Sequence, residues 1–194
     1  MVKAVAVFCG SSLGADPQYA LAAETLGKLL ALEGIALIYG GGNIGLMGKL
    51  ATAALEAGGH AVGVIPEFMM GKEIGKIDLP DLRIVKSMHE RKALMAELSD
   101  GFIAMPGGFG TLEEFAEVLT WSQLGLHTKP FGLLNIAGFY DHLITFFDHA
   151  TERQLIKPKH RALVLNAAAP AELLDQMRAW KSFPTTKWIT PDRT

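Results

Sequence analysis

The residues best suited to chemistry lie in one run, residues 106–114, which holds three glycines, a threonine and two glutamates. An apolar segment precedes this run, and apolar residues with helical spacing follow it, so the pattern predicts a strand, a glycine-rich turn and a helix. Glycine lets the backbone approach a ligand closely, and the unpaired N–H groups of a first helical turn stabilise an anion. The run therefore predicts a binding corner for a phosphate ester, with carboxylates beside it.

The same residues allow a purely structural interpretation, in which the run only starts a helix. Thr111 and Glu114 have the S/T-x-x-E spacing of a capping box, where the glutamate accepts a hydrogen bond from the threonine amide. The glycines upstream favour a functional role instead, because they would place Glu114 close to a bound phosphate. Glu113 and Glu117 are predicted to lie on another face of the helix and to be solvated. The residues alone leave both interpretations of Glu114 open.

Two further glycine-rich corners follow apolar runs, at residues 9–12 and 40–45. In a parallel sheet such corners lie at one edge, so all three could converge on one ligand; alternatively, the glycines only permit tight turns. The second corner also matches the G-x-G-x-x-G pattern of dinucleotide-binding folds. That match alone is weak, and the corner at residues 106–111 favours a nucleoside monophosphate over the dinucleotide of a dehydrogenase.

Residues 88–92 place two cations, Arg91 and Lys92, in the first turns of a predicted helix. The helix dipole disfavours cations at that end, so a phosphate or carboxylate partner would explain them, although a solvated face would tolerate them too. The neighbouring histidine and glutamate have no second pair of ligands at helical spacing, so no metal site is predicted. Cys9 has no recognisable base partner and is predicted to be a small buried residue, not a nucleophile.

Short apolar strands alternate with amphipathic helices along the chain, which predicts an α/β fold: a three-layer, Rossmann-like, doubly wound parallel sheet with helices on both faces. Strands are predicted at residues 2–8, 36–39, 61–65, 82–85, 101–105, 131–135 and 162–165. Helices are predicted at residues 17–33, 44–57, 88–98, from the glycine corner to residue 124, and at 139–150 and 170–180. We expect a mobile loop over the site at residues 66–80, an extended tail after residue 182, and one domain spanning residues 1–194.

Composition and charge narrow the function classes. The 194 residues are 49% hydrophobic, with 18 lysines and arginines against 20 aspartates and glutamates, a net charge of -2. No long block of one charge occurs, so neither nucleic-acid nor membrane binding is predicted. The first nine residues are typical of a strand rather than a lipoprotein signal, and no apolar stretch is long enough to span a bilayer. The single cysteine fits a reducing compartment, so a soluble, cytoplasmic protein is expected.

Together these motifs closely resemble the LONELY GUY family of cytokinin riboside 5'-monophosphate phosphoribohydrolases. That family has a P-G-G-x-G-T-x-x-E run, found here at residues 106–114, after an M-x-x-R-K segment, found here at residues 88–92. The similarity also covers residues 9–12 and 40–48, so it extends over most of the chain without a departure at the motif positions. Such proteins have often been labelled lysine decarboxylases, but nothing in the sequence marks a pyridoxal phosphate site.

The resemblance implies hydrolysis of the N-glycosidic bond of AMP, or of an N6-modified adenosine monophosphate, to the free base and ribose 5-phosphate. It also implies that Arg91 and Glu114 are the catalytic pair, that no metal or cofactor is needed, and that the protein is a homodimer. The residues implied to bind the substrate are Ser11, Gly42, Met88, Lys92, Gly107, Gly108, Gly110 and Thr111.

A binding function is the alternative, because proteins that resemble this family include non-catalytic carriers of a phosphorylated pterin, the molybdenum cofactor. Such a carrier would need the phosphate-binding corner but no turnover. The presence of both Arg91 and Glu114 favours the enzyme. In either case the expected partner is a small phosphate ester.

Overall fold

The computed structural model describes residues 2–70 and 79–182, and its strands form one sheet. The strands are β1 (Ala4–Phe8), β2 (Ala36–Tyr39), β3 (Ala61–Pro66), β4 (Asp81–Val85), β5 (Gly101–Ala104), β6 (Phe131–Leu134) and β7 (Val164–Ala167). The helices are α1 (Pro17–Leu32), α2 (Gly45–Glu56), α3 (Met88–Glu97), α4 (Phe109–Gln123), α5 (Asp141–Glu152), α6 (Pro158–Arg161) and α7 (Pro170–Ala179). All seven strands are parallel, in the order β4-β3-β2-β1-β5-β6-β7.

Helices cover both faces of the sheet, because successive residues of each buried strand point to opposite sides. In β1, Val5 and Val7 pack with α1, α2 and α7 in one hydrophobic cluster. Ala6 and Phe8 pack with α3, α4 and α5 in the other. Burial of both faces explains why β1 consists almost entirely of apolar residues. The three-layer, Rossmann-like fold predicted from the sequence is therefore confirmed.

The chain reverses its direction across the sheet at β1. From β1 it steps outward through β2 and β3 to β4, and then crosses back to β5 on the other side of β1. The turns after β1 and β5 therefore lead to opposite sides of the sheet, which opens a crevice where α/β proteins bind ligands. Backbone hydrogen bonds join the corners there: the Gly10 N–H donates to the Pro106 carbonyl, and the Leu46 N–H donates to the Gly10 carbonyl, both at 3.1 Å. The three glycine-rich corners thus converge at one edge.

Several predicted boundaries differ in the structure. The last strand begins at Val164 instead of residue 162, because Ala162 is the C-cap of the short helix α6, which the sequence pattern did not predict. Helix α5 begins at Asp141 instead of residue 139, since a 3-10 turn at Ile136–Gly138 precedes it. These shifts lie in the second half of the sheet and leave the corners after β1, β2 and β5 unchanged.

The prediction of a loop at residues 66–80 is wrong for residues 66–69. Pro66 ends β3, and Glu67–Met69 form a 3-10 turn. Residues 71–78 lie outside the described residues, as does the tail predicted to be extended after residue 182. None of the helices in residues 2–70 and 79–182 is long and apolar enough to cross a membrane.

Candidate active site

A cavity of about 320 Å³ opens at the carboxyl edge of the sheet, where the three glycine-rich corners meet. Its lining comes from the end of β1 and the turn after it, and from residue 40, which follows β2. The first turns of α2, α3 and α4 and the 3-10 turn after β3 complete it. The predicted site residues in this lining are Ser11, Met88, Arg91, Gly108, Gly110, Thr111 and Glu114. Three other predicted residues, which the structure also describes, lie outside the lining: Gly42, Lys92 and Gly107.

Helix α4 begins beside this cavity without a side-chain cap. Its N-cap is Gly108, in an extended conformation, and no side chain in the described part of the chain caps its first turn. Thr111 is the third helical residue and not the N-cap, so the capping-box interpretation of Thr111 and Glu114 is wrong. The first-turn N–H groups and the positive end of the helix dipole are therefore placed to bind an anion.

A buried ion pair lines the same cavity. Arg91 extends from α3 and Glu114 from α4, with 3.6 Å between Nη2 of Arg91 and Oε1 of Glu114, and the two side chains are only 7% and 11% exposed. The Nε atom of Arg91 is buried and has no hydrogen-bond partner among the described residues. Buried donors are almost always paired in folded proteins. Among the described residues, this N–H is therefore an unsatisfied donor without exposed surface, in a side chain that lines the cavity.

Two glycines make room for functional side chains. A Cβ atom at Gly40 would lie 2.0 Å from Nη2 of Arg91, so the guanidinium can lie against the end of β2 only because residue 40 is glycine. A Cβ atom at Gly107 would lie 2.1 Å from Oγ1 of Thr111. Gly107 therefore positions Thr111 instead of lining the cavity. The role of Gly40 depends on a long-range contact, so no local pattern could have identified it.

The start of α3 is capped, although its sequence looked unfavourable because of its cations. The Ser87 side chain accepts a hydrogen bond from the Glu90 N–H (3.1 Å), and the Glu90 carboxylate accepts one from the Lys86 N–H (2.7 Å). Ser87 is the N-cap and Glu90 lies in the first turn, where its charge complements the dipole. This cap was not predicted, although the S-x-x-E spacing of residues 87–90 is a usable signal for one.

Lys92 is a buried cation that binds two carboxylates of α4. Its Nζ lies 2.5 Å from Oε1 of Glu113 and 2.9 Å from Oε2 of Glu117, and its side chain is 7% exposed. The prediction that Glu113 and Glu117 are merely solvated is therefore wrong. Burial alone would lower the pKa of Lys92, but the contacts with the two carboxylates outweigh burial and raise it, so the lysine stays charged.

Part of the cavity lining is apolar. Met47 from α2, Met69 after β3 and Met88 at the start of α3 contribute side chains, together with Phe109, which is 93% exposed. Methionine side chains adapt to irregular shapes and contact aromatic rings favourably. Only Met88 was predicted, because Met47 and Met69 reach the cavity through the fold and not through a local motif. These side chains are suited to contact a planar, largely apolar group.

Cys9 lines the cavity as a protonated thiol. Its side chain is buried, and this burial, together with the nearby charge of Glu114, raises its pKa. Because the thiolate is the reactive form, a thiol held protonated is a poor nucleophile. This placement agrees with the prediction of a small buried residue. Among the residues that the structure describes, no group of three His, Cys, Asp or Glu side chains could hold a metal ion.

The sequence is similar to plant enzymes over most of its length. Residues 47–177 match the profile of a protein family described as "Possible lysine decarboxylase". The probable cytokinin riboside 5'-monophosphate phosphoribohydrolase LOGL6 of Oryza sativa subsp. japonica is 46% identical over 191 residues, covering 96% of this chain and 76% of that protein. The cytokinin riboside 5'-monophosphate phosphoribohydrolase LOG5 of Arabidopsis thaliana is 49% identical over 179 residues, covering 92% of this chain and 78% of that protein.

Solved structures with the same fold are less similar in sequence. The molybdenum cofactor binding protein of the phototrophic bacterium Rippkaea orientalis has a TM-score of 0.69 and 25% identity, covering 92% of this chain and 97% of that one. The Moco carrier protein of Chlamydomonas reinhardtii has the same TM-score and identity, covering 92% and 99%. The higher identity to the plant proteins, across the segments that build the cavity, identifies the family: the chain belongs to the LONELY GUY family of cytokinin riboside 5'-monophosphate phosphoribohydrolases.

Proposed function

We propose that this protein hydrolyses the N-glycosidic bond of adenosine 5'-monophosphates, either AMP or forms with an N6 substituent, to the free base and ribose 5-phosphate. The observation that carries this proposal is the buried Arg91–Glu114 pair, which lines the same cavity as the uncapped start of α4. Cleavage of a phosphorylated riboside requires both an anion site and a carboxylate near the sugar. The activity for which the plant relatives are named supports the same reaction.

In this proposal the phosphate binds at the start of α4. Gly108, Gly110 and Thr111 line the cavity there, and Ser11 approaches from the turn after β1. The first-turn N–H groups and the helix dipole stabilise the negative charge. Gly42 and Gly107 contribute indirectly, by shaping the corners that carry these groups. Because the phosphate lies away from the bond that breaks, its binding energy can hold the ribose in a reactive geometry.

Glu114 and Arg91 act on the sugar. The bond between C1' of the ribose and the base nitrogen breaks, a water oxygen bonds to C1' and the water loses a proton, and the departing base takes up a proton, so no net proton is released. Positive charge develops on the ribose ring in between, and the Glu114 carboxylate stabilises it while orienting ribose hydroxyls or water. Arg91 holds Glu114 in place from 3.6 Å, and its guanidinium, which lines the cavity, offers N–H donors to a substrate oxygen.

The base contacts the apolar part of the cavity lining. Met47, Met69, Met88 and Phe109 belong to that part. The adaptable methionine side chains can contact both faces and edges of a purine. An N6 substituent extends the base further along this apolar lining, so both AMP and N6-modified nucleotides belong to the proposed substrate class.

A non-catalytic carrier is supported less well than the enzyme. The carrier interpretation draws on solved structures that are 25% identical, whereas relatives named as phosphoribohydrolases are 46% and 49% identical. The carrier also gives no reason for a buried Arg91–Glu114 pair beside the anion site. A bound pterin, or tight nucleotide binding without release of base, would support the carrier instead.

Base release from two nucleotides tests the proposal. The purified protein is incubated with AMP and with isopentenyladenosine 5'-monophosphate, and free base is followed by chromatography. Release by the wild type but not by Glu114→Gln supports the ribohydrolase. Glu172→Gln, which makes the same change at an exposed position of α7, is the matched control and should retain activity. No release from either nucleotide by the wild type would refute the proposal.

We further propose a cytoplasmic homodimer. The dimer is supported by the family resemblance and by Phe109 and Leu112, two exposed apolar residues three positions apart on α4. The cytoplasmic location is supported by the cysteine content, because the chain has one cysteine, Cys9, which is buried and forms no disulfide.

A further inference from the structure

Lys92 belongs to the sequence motif of the site but does not line the cavity, whereas its partner Glu113 does. The lysine is almost fully buried between α3 and α4, and it spans the two helices through Glu113 and Glu117. Its ammonium group is therefore occupied by carboxylates of its own chain. The direct contact at the cavity is made by Glu113, and any effect of Lys92 on a ligand passes through that residue.

Charge at the cavity explains why this arrangement matters. Two neighbouring carboxylates, Glu113 and Glu114, line a cavity that is proposed to hold a phosphate monoester. The phosphate carries nearly two negative charges at neutral pH, so an uncompensated carboxylate beside it is repulsive. Arg91 compensates Glu114. The cation next to Glu113 is Lys92, whose Nζ lies 2.5 Å from Oε1 of Glu113 and is shared with Glu117.

We propose that Lys92 is a positioning residue that acts through Glu113: it draws the Glu113 carboxylate toward α3 and compensates its charge, so that the cavity admits a phosphate monoester. This inference rests on the proposed function for the class of ligand. It replaces the expectation, implied by the family motif, that Lys92 frames the nucleotide directly.

The two roles differ in what a second substitution does. If Lys92 masks Glu113, replacing the lysine leaves a repulsive carboxylate, and neutralising that carboxylate removes the repulsion. If Lys92 contacts the phosphate itself, neutralising Glu113 cannot replace the lost contact. Rescue of Lys92→Met by Glu113→Gln therefore separates charge masking from direct binding.

The test measures the dissociation constant of ribose 5-phosphate by titration calorimetry for the wild type, Lys92→Met, Glu113→Gln and the double variant. We expect Lys92→Met to weaken binding about tenfold at low salt, and less at high salt because the repulsion is screened. The double variant should bind within about threefold of the wild type, since the charge of Glu113 is gone. A double variant that binds as weakly as Lys92→Met would overturn the proposal.

A matched control removes a lysine from an ion pair outside the cavity lining. Lys49 Nζ lies 2.9 Å from Oε1 of Glu24, and the two side chains are 48% and 35% exposed. Lys49→Met therefore changes the same charge at the surface, and it should leave the dissociation constant within about twofold of the wild type. An equal loss in Lys49→Met would attribute the effect to net charge and overturn the proposal.

Binding of ribose 5-phosphate needs no turnover, so it tests this inference separately from the proposed reaction. A wild type that binds ribose 5-phosphate but releases no base from AMP refutes only the reaction. A wild type that does not bind ribose 5-phosphate overturns this inference. Glu113→Gln alone retains Lys92 and the contact with Glu117, so it should fold and bind at least as tightly as the wild type. Weaker binding in that variant would also overturn the inference.

Discussion

At the residue scale, the site is defined by one cation and one carboxylate that share a buried environment. Arginine remains charged at any relevant pH and offers several N–H donors, so it can hold Glu114 and still donate to a ligand. The 3.6 Å separation is that of an ion pair and is too long for a hydrogen bond. The pair therefore positions charge beside the cavity while its Nε donor lacks a partner among the described residues.

Glu114→Gln should abolish most activity while the protein stays folded at room temperature. The amide is nearly isosteric but cannot stabilise developing positive charge, so we expect kcat to fall by about 10²–10³-fold. The helix start at Gly108 does not involve Glu114, so the unfolding free energy should fall by no more than about 3 kcal/mol, the cost of leaving Arg91 less well paired. Base release and urea denaturation measure the two effects. A protein that unfolds at room temperature would contradict this prediction.

Gly40→Ala should displace Arg91 without changing its chemistry. The added methyl would lie 2.0 Å from Nη2, and this atom is the flexible end of the side chain, so the guanidinium moves and the backbone does not. Misplacing a catalytic group by about 1 Å costs up to about 10²-fold in rate, and we expect kcat/KM to fall by that order. Thermal unfolding should show a folded protein. Full activity in Gly40→Ala would show that the position of Arg91 is unimportant.

At the scale of elements, α3 and α4 begin in opposite ways, and the difference suits their roles. Ser87 and Glu90 cap α3, so its first turn is already satisfied. Gly108 leaves the first turn of α4 without a side-chain cap in the described residues. A helix start that lacks a cap retains donors for a ligand, so α4 is the helix equipped to bind an anion. Helix α3 instead serves to hold Arg91.

Ser87→Ala should therefore destabilise the protein and loosen the site. The loss of an N-cap costs about 1 kcal/mol of unfolding free energy, which urea denaturation can measure. The backbone N–H of Arg91 donates to the Ser87 carbonyl (3.1 Å), so fraying of this turn would loosen the position of Arg91. We therefore expect kcat/KM to fall several-fold as well. Asp16→Ala removes the cap of α1, where Asp16 accepts from the Gln18 N–H (2.9 Å), and is the matched control. Equal loss of activity in both variants would contradict a specific role for α3.

At the scale of the whole molecule, the reversal at β1 brings the functional segments together. The corners after β1, β2 and β5 are far apart in sequence, and the strand order places those three strands side by side. Gly45 illustrates how closely the corners approach, because a Cβ atom there would lie 2.2 Å from the backbone carbon of Ser11, at a positive φ of 63°. The site thus depends on the sheet as a whole.

The proposed dimer should depend on the exposed apolar residues at the start of α4. Leu112 is 37% exposed and lies outside the cavity lining, so Leu112→Lys should weaken the dimer about tenfold by placing a charge at the contact. Leu32→Lys, at a 79% exposed position of α1, should leave the dimer unchanged. Sedimentation velocity measures both. A monomeric wild type at micromolar concentration would contradict the dimer.

The sequence by itself determined the order of the seven strands and of all helices except α6, because burial imposes a repeat that local patterns reveal. It also predicted an anion-binding corner at residues 106–111, since the glycines and the following helix are contiguous. Strand ends shifted by about two residues near α6, where a Pro-initiated turn competed with the strand pattern. The motif residues that line the cavity could thus be named in advance, though not their contacts.

Only the tertiary structure decided which of these residues meet. In the structure, Arg91 pairs with Glu114, and Lys92 pairs with Glu113 and Glu117. The missing side chain of Gly40 leaves room for the guanidinium of Arg91. The tertiary structure also decided that the N-cap of α4 is Gly108 and not Thr111, which settled the capping-box alternative. The physical reason is that these contacts join segments distant in sequence, whose separation is fixed by the strand order and by the packing of α3 and α4 on one face of the sheet.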